Sequence, residues 1–568
     1  MLQIDQIKML ITEQKQEETS FLQKQILKLL HTSPKEIVNW RILKKSLDAR
    51  KKPKLYWIYR VAVTLTDEKT EARILKSGKN NFVASYHPVV YQPPVLKMPL
   101  GEQFQDRPVI IGTGPAGLLC GYLLACQGLR PILIERGKSL EQRKQVVEDF
   151  WDKGILDQNT NVQFGEGGAG TFSDGKLQTQ VKDKTGRIYY ILKTFVEHGA
   201  PEEILFLSKP HIGTDLLSVV VKSLREHMIA MGAEFYFETK MTGLVTGQDR
   251  ICGVRVMDQQ GERIIRTGCC ILCIGHSARD TFLTLYDQGV KMEHKPFAVG
   301  LRVQHSQELI NEVQYGEGWK TKHLPPADYK MSYTVKYGRS VYSFCMCPGG
   351  YVVNASSEPE RTAVNGMSYH GRDSGNANSA IVVTVDHKDY GEGVFDGMRF
   401  QQELEHRAYL QGNGKLVLQR LSDFTAESSG KDEGTACAEM LQNDIEIRGV
   451  ENGQEELSPK VKGQYLWGNI RGVLPESLSL DFKDAMKYFG TVMGGFDRPD
   501  TILCGIESRT SSPVKIIRGE DFQSNIRGLY PCGEGAGYAG GITSAALDGV
   551  KVAEKVIMLY NKPKCATT

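Results

Sequence analysis

No stretch of about 18 uncharged apolar residues occurs in the 568-residue chain, which argues against a membrane-spanning helix. Neither sign of charge prevails. Seventy Lys and Arg face 67 Asp and Glu, a net charge of +3, so there is no overall pull toward nucleic acid or a membrane surface. The opening MLQIDQIKMLITEQKQEE is too polar for a secretory signal. Twelve cysteines are scattered without a disulfide-like framework, the usage of free thiols in a reducing cytoplasm. What is present is ordinary: 40% hydrophobic and 24% charged residues, the balance of a soluble globular protein. The length suits two to four structural units and a large buried core.

Against that background, glycine is concentrated in three places. The pattern G-x-G-x-x-G occurs at Gly112, Gly114, Gly117, at Gly165, Gly167, Gly170, and at Gly535, Gly537, Gly540. Context sorts them. The first follows the apolar run RPVII and precedes PAGLLCGYLLACQG, a helical stretch. A second apolar run, RPILIE, then ends at Glu135, 18 positions after Gly117. Strand, loop, helix and strand with a terminal acid make a dinucleotide-binding unit, in which the acid is expected about 20 residues on. Gly112 permits the tight turn, Gly114 the close approach of a pyrophosphate, and Gly117 close packing of helix on strand. The N-terminus of that helix offers free N–H groups and the positive end of its dipole. Glu135 is expected to accept ribose hydroxyls.

The third pattern reads as strand, loop and helix, but only some 30 residues remain and no second strand follows. A segment that returns to the first unit can still grip a long nucleotide from its other end, which favours FAD over NAD. Glu534 is then expected at the ribityl or pyrophosphate side. The helix after Gly540, Gly541 and Ile542 would lie at the flavin ring, where its dipole stabilises negative charge. The middle pattern, in FGEGGAGTFSDGK, fails the context test, with no clear strand before it and no long helix after it. Five glycines in residues 165–175 still let backbone approach a flat ligand closely. A flavin contact is expected there, through Gly168, Ala169 and Gly170, with Thr171 and Ser173 as donors. A flexible surface loop is the plain alternative.

Gly112, Gly114, Pro115, Ala116, Gly117, Glu135, Arg136 and the terminal GEGAG, with Gly533 and Glu534, resemble the FAD-binding domain of the glutathione reductase superfamily. That resemblance implies a nucleotide domain closed by GCCILCIG, ending at Gly275, and a three-stranded insert over 233–268 that brings Met241 near the adenine. The last motif of that superfamily normally carries Asp where this chain has Glu534. The chain as a whole is similar to bacterial FAD-dependent dehydrogenases that carry SLDARKKP, NVQFGEGGAGTFSDGKL, CMCPGGYVVNASSE and GEGAGYAGGI. All four are present here. This implies FAD and a redox role, with no settled substrate.

The expected fold class is α/β. A Rossmann-type FAD-binding domain is split into 101–288 and 506–568, around an inserted α+β substrate domain at 289–505. A small α+β accessory domain occupies 1–100. Its segment 41–60 carries eight Lys or Arg and one Asp beside alternating Leu55, Trp57, Tyr59, Val61, Val63 and Leu65. That makes it an RNA-binding candidate, although a solvated basic loop, or one docked on the flavin domain, accounts for it as well. On the substrate side, Asp174 and Lys176 are the candidate catalytic residues, with a loop-capping role as the plain alternative. His276 and His211, the latter expected to begin a helix, read as structural hydrogen-bonders. Cys345 and Cys347 lie two apart on an expected strand, so both point the same way. They are candidates for redox thiols or metal ligands, but two cysteines alone do not make a zinc site. The expected activity is a cytoplasmic FAD-dependent oxidoreductase acting on a small molecule, with NAD(P)H at most a transient visitor, since no second nucleotide unit is present. An RNA-modifying flavoprotein and a flavin sensor are the alternatives. The reading requires Gly114 and Glu534 to share one cleft.

Overall fold

The structure is a computed structural model that describes residues 1–13, 17–77, 81–97, 107–336, 338–426 and 457–561. Its centre is a five-stranded parallel sheet, in the order Leu529–Pro531, Cys270–Leu272, Val109–Ile111, Ile132–Ile134, Glu234–Tyr236. These short runs are apolar almost throughout, as strands covered on both faces must be. One face carries the helices Pro115–Cys126, Thr214–Ala230 and Ile542–Tyr560. The other is covered by the three-stranded sheet Lys240–Gly247, Arg250–Asp258, Gly261–Arg266, the insert that the resemblance implies over 233–268.

Two contacts explain how the terminal segment rejoins a unit that began some 400 residues earlier. A Cβ at Gly549 would lie 2.2 Å from the Ala116 carbonyl oxygen, and one at Gly533 would lie 2.8 Å from Ala116 Cβ. The last helix therefore packs on the first with no side chain between them. From the strand Val109–Ile111 the chain adds strands in one direction. The segments that arrive later, Cys270–Leu272 and Leu529–Pro531, lie on the other side. This reversal leaves a crevice at the carboxyl ends of the strands, where ligands of open α/β sheets bind.

The segment between the two halves builds a seven-stranded sheet around the long, almost fully buried strands Phe297–Ser306 and Asn376–Val385. Its core is separate from that of the parallel sheet. Its two crossings run side by side as the antiparallel pair Met292–His294 and Val514–Ile516, and the strand Ile502–Glu507 runs through the division expected at 505. The N-terminal residues form a four-stranded sheet, Ile37–Asp48, Tyr56–Leu65, Leu2–Leu10, Val83–Ser85, covered by the helix Glu18–Leu30. Part of the basic segment is committed internally. Lys45 pairs with Glu18 and lies 4.8 Å from the Trp57 ring centroid, and its backbone bonds Phe206 and Ser208. Lys52 donates to the Val313 carbonyl.

Candidate functional site

Three glycine loops meet at the carboxyl ends of the central strands. They enclose a cleft of about 820 Å³, within the usual range for small-molecule sites. A Cβ at Gly112 would lie 2.3 Å from the Cys273 carbonyl oxygen, and one at Gly535 would lie 2.5 Å from that of Gly275. The loops after three neighbouring strands are thus packed backbone on backbone.

The middle glycine stretch fills the gap between them. A Cβ at Gly168 would be 3.0 Å from Gly114 Cα, and one at Gly170 would be 3.2 Å from Ile542 Cγ1. The stretch is wedged between the first loop and the start of the last helix, and it forms one 3-10 turn, Ala169–Phe172. Arg143 holds it. This fully buried guanidinium donates to the carbonyls of Asn161, Val162, Gly165, Glu166 and Gly168 at 2.6–3.2 Å. Burial lowers its pKa to about 10, against the opposing pull of Glu135 and Glu166. No sequence pattern marks this arginine, because the carbonyls it binds belong to any residue type.

Most of the residues expected at the nucleotide line this one cleft. From the first unit these are Gly112, Gly114, Pro115, Ala116, Glu135 and Arg136, and from the middle stretch Gly168, Ala169 and Gly170. Met241, Gly275, Glu534, Gly540, Gly541 and Ile542 join them from elsewhere in the chain. Gly114 and Glu534 therefore share a wall of the same cavity. Gly117 and Gly533 lie behind it. A Cβ at Gly117 would come within 2.0 Å of the Gly112 carbonyl oxygen, the packing role expected for it, and Gly533 donates its N–H to Asp548 at 2.8 Å.

Three expectations need correction. Thr171 is not a donor into the cleft. It is fully buried, and its hydroxyl faces the interior of the loop, 3.5 Å from the Glu166 carbonyl oxygen. Asp174 is not free for acid or base work. Its carboxylate is enclosed by Lys176 Nζ at 3.0 Å, Arg372 Nη2 at 2.6 Å, Arg372 Nε at 3.2 Å and the Ser368 hydroxyl. Burial works against its charge, but Lys176 and Arg372 outweigh it and hold the carboxyl well below the usual range. Asp174 is a counter-charge that fixes Lys176, which stays protonated and faces the cleft. His211 does not begin a helix either. The helix starts at Thr214, and His211 stacks on His370 with ring centroids 5.3 Å apart.

Glu135 has a further task. Its Oε2 accepts from the N–H and hydroxyl of Thr113 at 3.0 and 2.8 Å, and its Oε1 from the N–H groups of Gly137 and Gly165 at 3.0 Å. It ties the first loop to the middle one, and a ribose hydroxyl would share these oxygens. At the opposite end, burial raises Glu534 to about 7. Burial also lowers His276 to about 3, with Arg509 and Arg279 adding to the effect, so His276 is neutral, and its Nε2 has no partner. Arg509 enters the cleft wall from a buried cluster. It bonds Glu405 with two nitrogens at 2.8 Å, beside Arg279, which does the same at 2.8 and 2.9 Å.

A nucleotide fits these features. An added Cβ at Gly275, Gly540 or Gly541 would meet nothing within 4 Å, so backbone is bared to the cavity at all three. The helices Pro115–Cys126 and Ile542–Tyr560 both begin at this cleft, from Gly114 and Gly541, with no side-chain cap. Their unpaired N–H groups suit anionic and electron-rich groups. No cluster of three or more metal-ligating side chains occurs among the described residues, and no helix among them is long and apolar enough to cross a membrane.

The fold and cleft are those of a Rossmann-type flavoprotein with an inserted second domain. The family description "FAD-dependent protein, C-terminal domain-like" matches residues 296–452, and a domain of unknown function matches residues 1–64. An uncharacterized protein of Clostridium beijerinckii is 40% identical over 554 residues, 96% of this chain and 98% of its own length. The chain belongs to the same family, one of FAD-dependent flavoproteins. Among solved structures, the FAD-complexed glycerol-3-phosphate dehydrogenase of Bacillus halodurans overlaps at 12% identity over 81% of this chain and 64% of that one, with a TM-score of 0.34. A geranylgeranyl bacteriochlorophyll reductase-like protein of Thermoplasma acidophilum overlaps at 11% identity over 80% of each chain, with a TM-score of 0.33. At such scores the likeness is partial.

Proposed function

We infer that the protein is an oxidoreductase that transfers a hydride between FAD in this cleft and a small organic substrate. The observation that carries this reading is the bare backbone at Gly275, Gly540 and Gly541, set beside two uncapped helix N-termini in one cavity. FAD supplies a ring system that accepts or gives a hydride. The chain supplies the rest. Gly112, Gly114 and the N-terminus of the helix Pro115–Cys126 receive the pyrophosphate. The N-terminus of the helix Ile542–Tyr560 lies at the ring end and favours negative charge there.

Strands of the inserted domain face the cleft with Tyr342, Phe344, Cys345, Asn365 and Glu507. This wall restricts water and shapes the substrate space. Lys176, fixed by Asp174, sets a permanent cation in it for an anionic or carbonyl-bearing substrate.

The test is direct. Purified protein should be yellow, and denaturation should release one FAD per chain, identified by mass. Anaerobic mixing with NADH, NADPH and panels of hydroxy and amino acids should bleach the flavin with at least one donor class. A colourless protein that takes up no added FAD would end this reading.

A further inference from the structure

Cys345 and Cys347 differ from the plainly buried cysteines among the described residues. Cys269 and Cys270 are pushed up by burial with no cation beside them, Cys504 is pushed up although Arg302 opposes it, and Cys273 and Cys532, which also line the cleft, are both pushed up by burial. Small inert thiols of that kind are common in protein cores. The pair at 345 and 347 is built differently.

The strand Ser340–Cys347 pairs regularly with Asn376–Val385 as far as Phe344 opposite Ala380. The register then slips, so that Cys347 faces Asn378. The bulge holds Cys345 at φ +46°. In a flat strand, residues two apart lie about 6.6 Å from one another, near the upper limit for a disulfide, and a bulge bends the strand at this point. Cys347 Sγ donates to the Cys345 carbonyl at 3.2 Å. Cys345 lines the cleft, whereas Cys347 is fully buried behind it.

Two cations bracket the pair. Lys176 Nζ donates to the carbonyl of the intervening Met346. Arg302 Nη1 lies 3.3 Å from the Cys345 carbonyl oxygen and 3.9 Å from Cys347 Sγ. The opposing charges are Asp174 on Lys176, Glu507 on Arg302 and Glu534 across the cleft. The neighbouring Cys347 thiol, with Lys176 and Arg302, draws the Cys345 thiol below its usual range, while Cys345 and burial push Cys347 up. Cys345 is thus the more acidic thiol and faces the cleft, with Cys347 buried behind it. This is the asymmetry of a working dithiol.

We propose that Cys345 and Cys347 form a redox pair that cycles between thiolate–thiol and a Cys345–Cys347 disulfide, exchanging electrons with the flavin in the cleft. The proposal rests on the flavin reading above. Closing the S–S bond breaks the Cys347 S–H bond and removes two electrons from the pair. Bound FAD is the oxidant, and it takes those electrons with the proton that Cys347 releases. The reverse transfer reopens the bond.

Two measurements test it. In the first, the holoprotein is preoxidised with glutathione disulfide and titrated anaerobically with dithionite. It should take up two electrons per chain beyond those that reduce the flavin, and Cys345→Ser and Cys347→Ser should each lose that extra uptake. In the second, flavin-stripped protein is equilibrated in glutathione buffers, alkylated and digested. Under oxidising poise the peptide that spans both cysteines should be unalkylated and lighter by two hydrogens. Ordinary electron uptake, with both cysteines alkylated at every poise, overturns the dithiol and leaves the flavin reading standing. A disulfide that forms in a protein unable to bind FAD overturns the flavin reading, and the proposed exchange with it.

Discussion

Two glycine-to-alanine substitutions separate glycines that serve the fold from glycines that serve the ligand. At Gly117 the new methyl would sit 2.0 Å from the Gly112 carbonyl oxygen and 3.1 Å from its carbon. Contacts of this kind settle near 3.5 Å, so the helix must recede by roughly 1.5 Å. Neither neighbour is a flexible side-chain end that could swing aside. Overpacking of this sort costs about 1–3 kcal/mol, and it moves the whole N-terminus of the helix away from the loop. At Gly540 an added methyl meets no atom within 4 Å, and the position is exposed on the cleft wall. Apo stability should change by less than about 0.5 kcal/mol, as for a surface substitution without special features. The methyl nevertheless occupies ligand space. If it displaces one charge-assisted bond between backbone and cofactor, the loss is about 1.5–3 kcal/mol, or roughly 10- to 150-fold in Kd. The assays are thermal unfolding of flavin-stripped protein and titration with FAD by fluorescence quenching. Gly117→Ala should lower both apo Tm and affinity, whereas Gly540→Ala should lower affinity alone. If Gly540→Ala lowers apo Tm and binds FAD as the wild type does, the terminal glycines serve the fold, and the assignment of this wall to the cofactor is wrong.

Other outcomes follow from the buried charges. Glu405→Gln removes a buried carboxylate that faces Arg279 and Arg509, and should destabilise the protein by about 3–5 kcal/mol at neutral pH. Burial opposes the charge of Glu405, but the two arginines hold its carboxyl far below the usual range. Its contribution is therefore present above the unfolded-state pKa of about 4.3 and fades as pH falls below it. Chemical unfolding should show the gap between variant and wild type narrowing below about pH 4, and a gap that stays constant to pH 3 would refute the assignment. Glu534 behaves oppositely. It is raised to about 7 by burial, so its ionisation weakens the fold as pH climbs from about 4.3 through 7. Glu534→Gln should gain stability relative to wild type over that window, with a ceiling of roughly 4 kcal/mol. FAD affinity, measured across pH 6 to 8, should fall with rising pH in the wild type and stay level in the variant. Equal slopes in both proteins would refute a titrating Glu534 at the cofactor.

The sequence carried the parts of this site that depend on backbone. A glycine pattern is informative because only glycine lets main chain meet main chain or ligand, and strand and helix on either side decide which. Applied to three patterns, that test separated Gly112–Gly117 from the middle stretch, whose glycines turn out to be wedged against Gly114 and Ile542. The sequence was silent where partners are distant in the chain and chemically unspecific. Arg143 binds five carbonyls that any residues could present, so nothing at 161–168 signals it. Asp174 looked like a free acid because Arg372 and Ser368, which fill its acceptors, lie some 200 residues away. The spacing of Cys345 and Cys347 placed both on one strand face, but the feature that brings their sulfurs together beside Lys176 and Arg302 is a register slip against Asn378. A strand does not announce such a slip in its own residues. The chemistry proposed for the pair therefore depends on a backbone irregularity. Restoring regular pairing there, by deleting Met346, makes the two cysteines adjacent, so that they point to opposite faces of the strand. Alkylation of both cysteines at every glutathione poise in that variant, against their loss of alkylation under oxidising poise in the wild type, is the outcome this geometry requires.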